Sequence, residues 1–451
     1  MVELVAARCR RGALARSLGL VHRHPVAIPL VLSLIFGAIY AAMLPPWDLI
    51  DEEQHVHYIQ YFAERRELPT MGDTYLSPEI VASLVETNRW QRLRLAPPPN
   101  DDPRDWGLEG LSYEAYQPPL FYVTMSVPYA LLPDQMLVKL YGLRVLVVLL
   151  GTLSVLGSYV LVRGVWPDHQ ILAVAVATTL TLIPERAMAV SRVNNDVLVE
   201  LLSVLALLLL AQCVGPGFDL KRGMAVGAVV GLALLAKLSA APLIAATAVV
   251  WVAGYGTERF RSWLIRGAAI AATAALVSGW FFYRNIAAYG EPTGIASFVK
   301  VARFAPEASF PAMLGEIARG FWGLWWWNRP LYAFGVVAAL AFVVALFGVG
   351  LCYARGRLSR QQGMMLAAMA ALVLFAAAGV WQGASSGWVP FVQGRFMLPA
   401  YAPIVILFWL GMFRLAPVWM HTRMLGAAIA PLALLNAYVL FYLLPSHYPL
   451  P

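Results

Sequence analysis

Charge is what this sequence most lacks. Only 13% of its 451 residues are Asp, Glu, Lys or Arg, while 60% are apolar. A soluble fold of that size needs a polar shell, and too few polar residues are present to build one. Cysteine is scarce as well. Cys9, Cys213 and Cys352 all fall on the side read below as cytoplasmic, so free thiols are expected and no disulfide framework. The GxxxxGK[ST] and GxGxxG patterns are missing, which leaves nowhere to build a nucleotide-driven pump or a Rossmann-type nucleotide-sugar site. His55 and His57 lack the HExxH spacing of a zinc site and have no cysteine partners. There is no internal inverted repeat, which speaks against the usual transporter architecture.

What is present is a series of apolar runs close to twenty residues long, each able to cross about 30 Å of hydrocarbon as helix. The reading is an all-α polytopic membrane protein with about eleven transmembrane helices, at 26–44, 136–162, 170–188, 196–213, 223–236, 240–254, 265–283, 331–353, 363–381, 397–414 and 424–443. Residues 1–25 form a cytoplasmic tail and 26–451 the membrane domain. Arg8, Arg10, Arg11, Arg16 and Arg23 precede the first run, and Pro45-Pro46 follows it where a cleavage site would need small residues. That pattern fits a retained signal anchor.

With the N-terminus inside, the inner loops hold Arg163; Lys221 and Arg222; Arg259, Arg261 and Arg266; Arg355, Arg357 and Arg360; and Arg414 and Arg423. The positive-inside rule is satisfied, and the net charge of +8 orients the protein rather than marking a nucleic-acid binder. Two choices make this work. The run 118–133, interrupted by Pro118, Pro119 and Pro128, lies along the outer interface as a juxtamembrane helix. The stretch Met224–Gly254 splits at Lys237. The C-terminus then falls outside.

Two long outer segments result, 45–135 and 284–330. Residues 45–117 carry fourteen of the chain's twenty-five acidic residues against six basic ones. If the stretch after Asp51 is helical, Asp51, His55 and Tyr58 share one face while Val56, Ile59 and Phe62 form an apolar stripe. Such a helix would lie on the membrane surface with its acids toward a cavity. A carboxylate there could act as general base, or Asp51 and Glu52 could hold a divalent cation such as magnesium or manganese. Helix capping by Asp48 or Asp51 is the alternative. Arg192, Lys237, Arg284 and Arg395 all fall at the same outer boundary, against the charge bias of that side. A phosphate anchored at the outer leaflet would account for them, as would snorkelling or pairing with the acidic loop. The run Phe321-Trp322-Gly323-Leu324-Trp325-Trp326-Trp327 is read as an interfacial belt.

Taken in order, these motifs resemble the polyprenyl-phosphate-sugar-dependent glycosyltransferases of the GT-C superfamily. The likeness rests on Asp51-Glu52 with His55 just past the first span, Tyr116-Gln117-Pro118-Pro119-Leu120-Phe121-Tyr122, Arg144 and Arg192-Val193-Asn194-Asn195-Asp196. It continues through Lys237, Arg284-Asn285 with Tyr289-Gly290-Glu291-Pro292, and Gln393-Gly394-Arg395-Phe396 with Pro399. The protein mannosyltransferase and aminoarabinose transferase branch is most similar. Tyr116 stands where relatives often carry His, and Glu291 where Asp is common.

The resemblance implies transfer of a sugar from a polyprenyl-phosphate donor to an acceptor hydroxyl on a glycan, lipid or protein, with inversion, at the outer face of the plasma membrane. It implies Asp51 as base with Glu52 supporting it or sharing a metal ion. His55, Tyr116, Gln117, Arg192, Asn195, Asp196, Lys237, Arg284 and Arg395 would bind the donor phosphate or substrate. A transporter or flippase of a lipid-linked glycan is the alternative, as is a non-catalytic subunit of the same fold.

Overall fold

A computed structural model describes residues 24–47, 51–214, 219–254, 259–302, 309–322, 332–356, 358–386 and 393–447. The expectations placed on the basic tail up to Arg23, on Cys9, Asp48 and Arg357, and on Trp325, Trp326 and Trp327 fall outside these residues. Among the described residues every regular element is helical, and the one strand-like pairing is an isolated antiparallel bridge between Tyr75 and Leu111. Cys213 and Cys352 are free.

The protein is an all-α, multi-pass membrane protein. Among the described residues, seven helices are long and apolar enough to cross a membrane, and four shorter apolar helices accompany them. Helices stand at each expected span position, but several are too short for a complete crossing by themselves.

Small residues fix how the helices run. Ser33 and Thr152 share a 3.0 Å hydrogen bond, and Gly37 lies against Val148. One number rises as the other falls, so Ala27–Met43 and Met136–Val165 are antiparallel. A Cβ added at Gly227 would sit 2.3 Å from the Ile270 carbonyl oxygen, and one at Gly231 would sit 2.9 Å from that of Ala274. Both partners advance by four, so Leu220–Ala236 and Phe260–Tyr289 are parallel and in backbone contact. The helix between them, Pro242–Ala253, must therefore return. Lys237 makes the turn in extended backbone (φ −163°, ψ 144°) after the first helix ends at Ala236. The expected split at Lys237 is thus a real change of direction rather than a kink.

Two expectations need correction. The span expected over 170–188 is broken. Its helix ends at Leu182, Ile183 is extended, and Pro184 restarts a short helix to Ala189. Proline removes a backbone donor and drives the residue before it out of the helical region. The chain then folds inward, and residues 182–196 are buried throughout.

The helix Glu52–Arg65 does not lie on a membrane surface either. All nine residues from Glu52 to Gln60 are buried. The first outer loop shares a core with the helix Met136–Val165, in which Val56, Tyr58 and Ile59 pack with Leu76, Ile80, Trp90, Trp106, Phe121 and Tyr122 and with Leu140, Leu143 and Val147. The helix Leu120–Leu131, twelve residues long, spans about 18 Å and falls short of a hydrocarbon core. It packs on the loop helix instead, where the Tyr58 and Tyr122 rings stack with centroids 3.8 Å apart.

Candidate active site

Asp51 begins the loop helix, but its side chain does not cap it. The backbone does that work: the Asp51 carbonyl accepts from the amides of Gln54 and His55, each at 3.0 Å. Asp51 itself is left-handed (φ 57°, ψ 17°), a conformation that Asp tolerates better than most residues. The kink turns its carboxylate away from the helix, and the side chain keeps 31% of its surface. Oδ1 accepts from the Tyr113 hydroxyl at 2.5 Å. Oδ2 lies 3.4 Å from Arg395 Nη2.

From Arg395 a chain of alternating charge leads inward. Arg395 Nη1 is 3.5 Å from Asp196 Oδ2, and Lys237 Nζ donates to Asp196 Oδ1 at 2.7 Å. Gln393 Oε1 accepts from Arg395 Nε at 2.5 Å. Asp196 opens the helix Asp196–Cys213, Lys237 occupies the turn after Ala236, and Arg395 lies in the 3-10 turn before Tyr401. Four separate elements therefore meet at one point, and residues up to 344 positions apart in the chain come into contact. All but Asp51 are buried.

The wall beside this chain is neutral and polar. Asn195 Nδ2 reaches Gln117 Oε1 at 3.5 Å and the Tyr122 hydroxyl at 3.4 Å. Gln117 Nε2 donates to the Tyr116 hydroxyl at 3.1 Å. His55 Nδ1 pairs with the Tyr122 hydroxyl at 2.9 Å. Burial, together with the charges of Lys237 and Arg395, holds the His55 ring well below the usual histidine range, so it is neutral.

No known family model matches the chain, and no curated protein matches it in sequence. Solved structures do match. ArnT from Cupriavidus metallidurans bound to undecaprenyl phosphate superposes with a TM-score of 0.55 at 14% identity, over 92% of this chain and 65% of that one. Its apo state gives 0.55 at 15% identity, over 93% and 65%. The apo oligosaccharyltransferase of Archaeoglobus fulgidus gives 0.52 at 12% identity, over 94% and 56%. The protein has a GT-C fold. At these identities the fold is what is shared, and the chain spans 65% or less of the length of these structures.

Within the GT-C fold the expected site residues separate into groups. Asp51, Asp196, Lys237 and Arg395 are in direct contact, with Gln117 and Asn195 beside them. Arg284 faces elsewhere: Nη2 donates to the Pro69 carbonyl at 2.6 Å and reaches Thr70 Oγ1 at 3.3 Å. It thereby clamps the second outer segment onto the first. Tyr289 joins that clamp through its hydroxyl, which accepts from the Met71 amide at 3.1 Å. Tyr116 packs in the same region, with its ring 5.2 Å from that of Phe298. Arg192 is buried in the turn before Asn195.

Glu52 departs furthest from expectation. It is completely buried. Its Oε1 accepts from Arg144 Nε and from the Val193 amide, each at 2.9 Å, and its Oε2 accepts from Arg144 Nη2 at 2.5 Å. Arg144 also donates to the carbonyls of Ala41, Leu44 and Pro45 at 2.7–2.8 Å. A guanidinium thus satisfies the free carbonyls at the end of the first helix while it forks onto Glu52. Both Glu52 oxygens are engaged by Arg144, and the side chain has no exposed surface to offer an ion or a base. Among the described residues no three His, Cys, Asp or Glu side chains are grouped to hold a metal. The cation expected at Asp51 and Glu52 does not fit this donor set.

Sequence reasoning missed two residues. Tyr113 orients Asp51, and Glu114 is buried beside it with Oε2 unpartnered among the described residues. Their signal was position: both sit just before the Tyr116-Gln117-Pro118-Pro119 motif.

Proposed function

We propose that the protein is a membrane glycosyltransferase that moves a sugar from a polyprenyl-phosphate donor to an acceptor hydroxyl, with inversion. The observation that carries this reading is the accessible Asp51 carboxylate held against Arg395, a base beside a phosphate-binding cation. Asp51 takes the proton of the acceptor hydroxyl as the acceptor oxygen bonds to the anomeric carbon. The bond from that carbon to the phosphate oxygen breaks, and its electron pair leaves with the lipid phosphate. Arg395, backed by Lys237 through Asp196, stabilises the charge that builds there. Tyr113 donates to Asp51 and keeps its carboxylate aimed. Gln117 and Asn195 offer amide groups to sugar or acceptor hydroxyls.

The site faces the extracytoplasmic side of the plasma membrane in this reading, with the N-terminus cytoplasmic. The basic loops favour that orientation, because they join the opposite helix ends from those that carry Lys237 and Arg395. The fold likeness to ArnT, whose structure holds undecaprenyl phosphate, supports the donor class. Purified protein in liposomes should transfer sugar from a polyprenyl-phosphoryl donor, and Asp51→Asn should lower the rate by at least about 100-fold with folding intact. A fully active Asp51→Asn protein would remove the base assignment. Movement of the lipid between leaflets with the donor unconsumed would point to a flippase instead.

A further inference from the structure

Glu114 is a buried acid outside the proton transfer assigned to Asp51 and the charge stabilisation assigned to Arg395. It lies in the 3-10 turn Tyr113–Tyr116. The residue before it donates to Asp51, and Gln117 just after the turn reaches Asn195, next to Asp196. The turn therefore carries Glu114 into the charged centre of the site. The residue keeps 7% of its surface, and Oε2 has no hydrogen-bond partner among the described residues. Charged groups from four elements act on it: Asp51, Asp196, Lys237 and Arg395. The Tyr113 and Tyr122 hydroxyls adjoin it as neutral groups, since burial pushes both phenols well above their usual range.

Lys237 and Arg395 are matched one for one by Asp196 and Asp51. A third carboxylate would be left without a cation, and a buried charge without a partner is strongly disfavoured. A protonated carboxyl is not, and it gains an O–H that can donate. We infer that Glu114 serves the site as a neutral carboxylic acid, donating its O–H to a non-bridging oxygen of the lipid-linked phosphate that Arg395 holds. This rests on the reading of the site as a phosphate-binding one. Burial and the nearby Asp51 charge push its carboxyl up to about 8, which agrees with a neutral group at physiological pH. Ionisation would replace a donor with a negative charge facing a negative phosphate.

The test is binding of a polyprenyl methyl phosphodiester to the full chain in nanodiscs, between about pH 6.5 and pH 9. That probe keeps one fixed negative charge, so its own titration is removed from the profile. Wild type should bind at least about tenfold more weakly at the alkaline end. Glu114→Gln keeps an N–H donor and cannot ionise, so its affinity should match wild type at the acid end and stay flat. A flat wild-type profile, or an alkaline loss that survives Glu114→Gln, overturns the inference while leaving the phosphate site in place. No binding by wild type at any pH sinks the phosphate site itself. Infrared difference spectra of wild type offer a second readout independent of any variant. The protonated-carboxyl band should shift when the phosphodiester is added, and an unchanged band counts against the inference.

Discussion

The Glu52–Arg144 pair separates a structural role from a chemical one more sharply than any other feature. Among the described residues Arg144 makes five hydrogen bonds through its guanidinium, two to Glu52 and three to the carbonyls of Ala41, Leu44 and Pro45. Replacing Glu52 with Gln removes the charge while keeping the shape, and it takes the Glu52 carboxylate away from a buried guanidinium. Breaking one side of a fully buried pair costs about 3–5 kcal/mol. Arg144→Met should cost more than Glu52→Gln, because it also strands three carbonyls at a helix end and leaves the Glu52 carboxylate uncompensated. The double variant Glu52→Gln with Arg144→Met should then be less destabilised than the two singles added together, by at least about 1 kcal/mol. Unfolding of detergent-solubilised protein followed by tryptophan fluorescence would measure all three, with donor turnover assayed on the same samples. The positional reading requires stability and turnover to fall together. If Glu52→Gln unfolds at the wild-type midpoint and yet has lost turnover, Glu52 acts in the chemistry and the argument is wrong.

Three further outcomes are expected. Tyr113→Phe deletes the hydroxyl that donates to Asp51 at 2.5 Å; a hydrogen bond to a charged group is worth about 1.5–3 kcal/mol, so kcat should fall by about 10- to 100-fold with little change in KM, and an unchanged kcat would refute the orienting role. Gly227→Val should destabilise by about 1–3 kcal/mol, since any Cβ there meets the Ile270 carbonyl oxygen at 2.3 Å; wild-type thermal stability would contradict the parallel packing of the two helices. Burial lowers the His57 ring to about 4, where it pairs with Ser112 as a neutral group. In the unfolded chain the ring takes its proton near pH 6.5, so its contribution is full above that pH and drains away as pH falls toward 4. His57→Gln should flatten this acid limb in a stability profile, and an unaltered limb would assign it to other groups.

Much of this arrangement was legible in the sequence because its cues are local. Lys237 interrupts an apolar run, and the structure reverses direction there. Cationic residues at helix ends marked Lys237 and Arg395, and both reach the site. The rest was hidden by distance along the chain. Nothing near Glu52 announces that its partner lies 92 residues away, and next to Asp51 it reads as half of an acidic pair. Arg284 has the same local signature as Arg395, yet its guanidinium is taken up by the carbonyl of Pro69. Glu114 was lost among fourteen acids in one loop, because burial, and not sequence, distinguishes it. Pro184 was visible, but the apolar run around it masked the break it causes.

The left-handed backbone at Asp51 bears on how the site can be dissected and how freely it can change. Two constraints coincide at this position, one on the side chain's chemistry and one on the φ angle of its peptide. Alanine, the customary probe, removes the carboxylate and also strains the turn, so its phenotype would mix both effects. Asparagine tolerates the same φ and isolates the charge; glycine relaxes the backbone and isolates the loss of the side chain. In a saturation library, survival at this position should rank by conformational tolerance for folding and by carboxylate for turnover. Those two rankings agree only at aspartate.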